Sequence, residues 1–195
     1  GLTLSPRAPH GSAGTANRVF FAGSEENHFY VELLAVEDEV AARSAGGRDY
    51  LLSALESDPA LARVMFETSD ISSVASVGTG APYEVHRGDG SKIGAVQALA
   101  DSVGAIQYTA PKAERFAARS GRGLFESEFK LKRIDHLAAV APDFDATTKY
   151  WVEELGVPVF GEVSNDVMVI RQMKVGDAVF ELLGPASAES PLASR

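Results

Sequence analysis

The chain has 195 residues, 45% of them hydrophobic and 23% charged, with a formal net charge of −9 and no cysteine. That length buries one sizeable core or two small ones, and the lack of thiols excludes disulfides, thiolate nucleophiles and zinc–thiolate sites. So acidic a surface repels phosphate backbones and anionic lipid, so neither nucleic acid nor membrane is an expected partner, and an anionic ligand needs a local basic patch. The longest apolar runs fall short of the roughly 20 residues of a membrane span, and residues 1–7 lack a charged-then-apolar leader. A cysteine-free chain fits a reducing cytoplasm, the expected location. The chain starts at Gly1 rather than Met, as expected of a processed chain, a tag-cleaved one or an excerpt.

In chain order, residues 2–5 read as a short strand stopped by Pro6 and Pro9. Residues 10–17 form a glycine-rich loop without the lysine or helix start of a phosphate cradle. A β-hairpin follows, with strands at 18–22 and 28–36 around a turn at 23–27. Residues 37–40 begin an acidic turn. Over residues 48–55, Tyr50, Leu51, Leu52 and Leu55 fall at helical spacing.

Residues 62–68 read as a strand, and Ser69-Asp70 as the N-cap of a helix over 71–77. Gly78, Gly80 and Pro82 break that helix. Three strands are expected at 83–86, 93–99 and 104–109, then a helix at 111–119 broken by Ser120-Gly121-Arg122-Gly123. Residues 126–132 alternate charge without a core face, so a linker is placed at 120–131, between domains at 1–119 and 132–195.

The last segment opens with Arg133-Ile134-Asp135-His136-Leu137-Ala138-Ala139-Val140. Pro142-Asp143-Phe144-Asp145 caps a helix over 146–155, which Gly156 ends. Strands are expected at 157–160, 167–172 and 179–183, with Gly176-Asp177 turning between the last two. Pro191 onward reads as the start of a further helix. The whole is a β-α-β-β-β unit, with His136 inward on its first strand and Glu181 inward on its last.

A Glu-Leu-Leu core is shared by Tyr30-Val31-Glu32-Leu33-Leu34-Ala35-Val36 and Val179-Phe180-Glu181-Leu182-Leu183-Gly184-Pro185. A repeat at this separation points to related domains rather than a short-period solenoid. The chain would then hold the later strands of one module, all of a second, and the first half of another paired domain. The missing halves come from a longer polypeptide or from a second chain. Exposed edges of incomplete modules tend to pair with another chain, so a homodimer is expected.

The Asp-His opening and the Glu-Leu-Leu-Gly-Pro close resemble a module of the vicinal oxygen chelate superfamily, which includes glyoxalases, methylmalonyl-CoA epimerases, extradiol dioxygenases and bleomycin-resistance proteins. The His-Gly…Gly-Thr-Ala-Asn segment before the first Glu-Leu-Leu is similar to the glyoxalase-like group. The resemblance implies an α+β fold of repeated βαβββ modules, with curved mixed sheets around a cup. It also implies His136 and Glu181 as ligands of a divalent metal (Mn, Fe, Co, Ni or Zn), in a lyase, isomerase or dioxygenase acting on a small oxygenated substrate.

In the first domain the matching positions are Glu32, Gln107 and Arg63, a cation where a ligand is expected, so a degenerate domain or a metal-free cup is expected there. Glu32, Arg63, Gln107 and His10 are the candidate cup-lining residues, and an Arg63–Glu32 pair is an option. The competing reading of the whole is a non-catalytic protein of the same fold that binds a small molecule or sequesters an antibiotic. A lone strand histidine is also at home as a hydrogen-bonded core residue. His28 and His86 read as surface turn residues, and Tyr150 and Trp151 as helix core.

Overall fold

The structure, a computed structural model, describes residues 1–45, 49–56, 62–100, 102–141 and 143–193. It divides into two compact units, Gly1–Arg133 and Ile134–Arg195. Among the described residues it has eleven strands in three sheets and few helices, with no closed barrel. The α+β class that the resemblance implies holds.

In the first unit, β1 (Ala8–Pro9), β2 (Thr15–Ala22) and β3 (Phe29–Val36) form an antiparallel sheet in that order. Residues 2–5, expected as a strand, make no ladder; Ser5 instead exchanges backbone and hydroxyl bonds with Val19. The acidic turn at 37–40 is in fact the start of α1 (Glu39–Ser44), where the Asp38 carboxylate accepts from the Ala41 N–H. This is the N-cap arrangement that satisfies an orphan donor of the first turn. Next comes α2 (Asp49–Glu56), which buries Leu51 and Leu52 but exposes Leu55. The expected helix start at Arg48 and the side chain of Tyr50 lie outside the described residues.

A second sheet follows, built from β4 (Val64–Glu67), α3 (Ser72–Ala75), β5 (Tyr83–His86), β6 (Lys92–Ala98) and β7 (Val103–Tyr108). The strand order is β4-β7-β6-β5, with β4 parallel to β7 and the other pairs antiparallel. This is one complete βαβββ module. Its glycines allow close strand approach: a methyl at Gly94 would lie 2.2 Å from the Gln107 carbonyl oxygen. α4 (Lys112–Ser120) then closes the unit, with turns and irregular chain leading to Arg133.

The second unit repeats the module. β8 (His136–Val140), α5 (Phe144–Lys149), β9 (Val159–Ser164), β10 (Met168–Val175) and β11 (Ala178–Pro185) form a sheet of order β8-β11-β10-β9, with β8 parallel to β11. Asp143 caps α5 by accepting from the Ala146 N–H; Pro142 of the expected cap lies outside the described residues. The helix expected to run to Leu155 changes pitch at Tyr150–Glu154, a π-type turn. That turn seats Trp151 on Phe180, the rings stacked at 4.6 Å, beside the fully buried Met173. Residues 191–193 form only turns.

The third sheet has two unlike faces. Phe180 and Leu182 are buried and Gly184 lies against the Phe144 ring, while Arg171 reaches Asp145 and Thr148 of α5; these residues mark the helix-covered face. Strand alternation puts His136, Ala138, Val140, Glu181, Leu183 and Gln172 on the other. There Val140 and Val163 are 40% and 53% exposed.

Candidate functional site

His136 and Glu181 sit on adjacent parallel strands. His136 pairs with Val179 and Ala138 with Glu181, so the two functional groups share the open face, offset by two residues. The His136 side chain is half exposed, and its Nδ1 lies 3.1 Å from the Asp135 carboxylate. A carboxylate on one ring nitrogen orients the other, which is how ligating histidines are commonly held. Glu181 accepts 2.7 Å from Gln172 Nε2, on the neighbouring β10. Gly161 of β9 pairs with Gln172, and a methyl at that glycine would lie 2.7 Å from Gln172 Oε1.

An imidazole nitrogen and a carboxylate oxygen suit first-row divalent metals. Two such donors do not by themselves complete a coordination sphere. Among the described residues no cluster of three His, Cys, Asp or Glu side chains stands ready to hold a metal.

The first unit is built differently. Glu32, the counterpart of Glu181 in the sequence repeat, takes a 2.6 Å bond from Asn17 Nδ2. Arg63 immediately precedes β4 and has a buried Nε. Gln107, expected to line the cup, instead faces α3: its Nε2 donates to Ser69 O at 2.7 Å and its Oε1 accepts from Ile71 N. The strand parity that turns Gln107 toward the helix turns Tyr108 to the opposite face. His10 is half-buried, with Nδ1 2.8 Å from Thr15 Oγ1. In this unit Glu32, Gln107 and His10 thus hold hydrogen bonds to neighbouring protein groups.

What the first unit does bring together went unread in the sequence. Tyr30 of β3 and Tyr108 of β7 share a hydroxyl–hydroxyl bond of 3.0 Å, and burial pushes the Tyr30 phenol well above its ordinary range. Arg115 stacks over Tyr108 at 3.8 Å and binds Glu67. Arg119 stacks over Phe21 at 4.6 Å, and burial lowers its pKa. His28, expected at the surface, packs on Phe116 and Phe125 at 5.5 and 5.9 Å, and its pKa is lowered chiefly by that burial. His86 is exposed, 3.4 Å from Glu84. Trp151 is core, as read. No helix among the described residues is long and apolar enough to cross a membrane.

The fold is shared with solved structures. The chain is similar to a hypothetical protein from Staphylococcus aureus at 16% identity and a TM-score of 0.67, covering 95% of this chain and 78% of that one. It is also similar to a mutant 4-hydroxymandelate synthase from Streptomyces coelicolor at 15% identity and a TM-score of 0.56. That match covers 92% of this chain and 54% of the synthase, so the chain spans about half the synthase's length. At these identities the likeness is one of fold. No curated protein matches the chain. The profile of the glyoxalase-like domain family matches residues 1–119. With more than half of its length under that profile, the chain belongs to the glyoxalase-like domain family, within the vicinal oxygen chelate superfamily.

Proposed function

We propose that this protein is a divalent-metal-dependent enzyme of the lyase, isomerase or dioxygenase type, acting on a small oxygenated substrate, with His136 and Glu181 as two of its metal ligands. The observation that carries this reading is their placement on the open face of the third sheet, two residues apart in register on adjacent strands. Both are metal-competent donors that this face, shared with Ala138, Val140, Leu183 and Gln172, leaves accessible to a ligand. When bound, the metal would act as a Lewis acid on vicinal substrate oxygens. The chain's own residues would hold those donors: Asp135 orients the imidazole and Gln172 the carboxylate. The general base is unassigned.

A half set of ligands requires the rest from elsewhere, and we assign them to a second copy of the chain, to substrate and to water. The half-exposed Val140 and Val163 supply the apolar rim for such a homodimer. The division into domains at 1–119 and 132–195 with a linker at 120–131, and a cytoplasmic location, belong to the same reading. Elemental analysis of protein purified without chelator tests it. About one transition metal per chain is expected, lost in His136→Ala and in Glu181→Ala. Metal retained in His136→Ala would refute the assignment.

A second reading has its own support. Both repeat glutamates already hold an amide, Asn17 on Glu32 and Gln172 on Glu181, as in a binding protein that sequesters a small molecule without metal. Protein that stays metal-free after incubation with Mn, Fe, Co, Ni and Zn would favour it.

A further inference from the structure

α4 presents two arginines one helical turn apart, and their surroundings differ. Arg115 is fully engaged: Nη2 binds the Glu67 carboxylate at 2.5 Å, Nε donates to Ala110 O at 3.1 Å, and the guanidinium covers the Tyr108 ring. Arg119 has its guanidinium between aromatic rings, 4.6 Å from Phe21 and 5.9 Å from Tyr30. Its Nη1 is buried without an acceptor, and no carboxylate pairs with it among the described residues. A guanidinium cannot escape this by losing its proton. Stacking on rings compensates part of the lost hydration, but a buried charged donor without an acceptor remains costly.

Both arginines line a cavity of about 320 Å³, together with Arg87, Lys92, Tyr108 and Glu114. That volume is at the lower end for small-molecule pockets. Its charge balance narrows the ligand. Lys92 is neutralised by Glu84 at 2.6 Å and Arg115 by Glu67. Arg87 lies beside the Asp89 carboxylate, so Arg119 is the lining cation left without a paired carboxylate among the described residues. A monoanion matches this better than a phosphate dianion. The planar fork of a guanidinium matches a carboxylate in geometry, and Ile93, Ala110 and Pro111 offer apolar wall to an organic body.

We propose that this cavity is a binding site for a small organic monocarboxylate, with Arg119 as the residue that receives the carboxylate. The site lies within the first unit and does not depend on His136 or Glu181. It also supplies the local basic patch that a chain of net charge −9 needs to hold an anion.

The test is isothermal titration calorimetry of the whole chain with benzoate, benzamide and inorganic phosphate at low ionic strength. Benzoate is expected to bind with a Kd of about 1 mM or tighter, and benzamide and phosphate at least tenfold more weakly. Arg119→Gln should weaken benzoate binding tenfold or more, and Arg119→Lys by less, since it keeps the charge but loses the fork. Arg122→Gln, outside the cavity, should leave it unchanged. A stability measurement stands beside the titration: without ligand, Arg119→Met should raise Tm, because it removes an uncompensated buried charge and keeps the packing. Absence of benzoate binding, equal binding of benzamide, tighter binding of phosphate, unchanged affinity in Arg119→Gln, or a lowered Tm in Arg119→Met would each overturn the proposal.

Discussion

Gln172 donates from Nε2 to Glu181 Oε1 across the β10–β11 pair at 2.7 Å. One carboxylate oxygen is thereby fixed, and in the proposed metal centre the other would meet the cation. Gln172→Leu keeps the strand and removes the amide. Outer partners of a metal ligand are typically worth ten- to a hundredfold in affinity. Competition with a chromophoric chelator should therefore show metal affinity falling about tenfold or more, with the fold unchanged by circular dichroism.

Asn17 and Glu32 repeat the device in the first unit, which the proposed reading leaves without metal. Arg63 precedes the strand where a second donor would start, and Gln107 is bonded to the α3 segment. Glu32→Gln is accordingly expected to leave metal content unchanged by elemental analysis. A loss of metal equal to that in Glu181→Gln would move the centre into the first unit.

His28 gives the stability a pH dependence. Burial against Phe116 and Phe125 holds its pKa below the ordinary value of about 6.5, and Arg119, Lys112 and Arg115 add smaller repulsions. The folded state thus binds fewer protons than the unfolded state just below that value, so stability rises with pH through this window and falls on acidification. The Tm difference between pH 7.5 and 5.5 should be smaller in His28→Phe than in the parent. The exposed carboxylates titrate alike in both and cancel.

Met173 is fully buried under the Trp151–Phe180 stack. Met173→Ala should cost about 2–5 kcal/mol. Trp151 is the only tryptophan, so urea unfolding followed by its fluorescence reports the second unit specifically. An unchanged midpoint would mean that the cavity collapses without cost.

Strand alternation and turn residues were legible over most of the chain, because a one-face-buried strand writes its parity into the sequence. Gln107 was not legible: residues 103–106 of Val-Gly-Ala-Ile-Gln-Tyr are buried on both faces, so no parity signal told which way the amide points. α1 carried its cap at Asp38 and an acidic first turn, yet its apolar Val40 is 76% exposed and wrote no helical period. The π-type turn at Tyr150–Glu154 adds a residue per turn without altering composition. Arg119 and His28 owe their burial to Phe21, Tyr30, Phe116 and Phe125, contacts between distant segments that no local pattern records. His136 and Glu181 were legible as a pair through the Asp-His opening and the Glu-Leu-Leu-Gly-Pro close that resemble a superfamily module, and strand register puts both on one face.

The bare Cα of Gly161 leaves the space that Gln172 Oε1 occupies, and nothing in its backbone demands glycine. Positions 161 and 172 are therefore not free to drift independently. Alanine at 161 would push the amide off Glu181 while glutamine remains at 172, but would cost little once 172 had shortened to serine. Serine first leaves room for the alanine, whereas alanine first crowds the Gln172 amide; both routes give up the Gln172–Glu181 bond, so the bare Cα and the amide are kept or lost together.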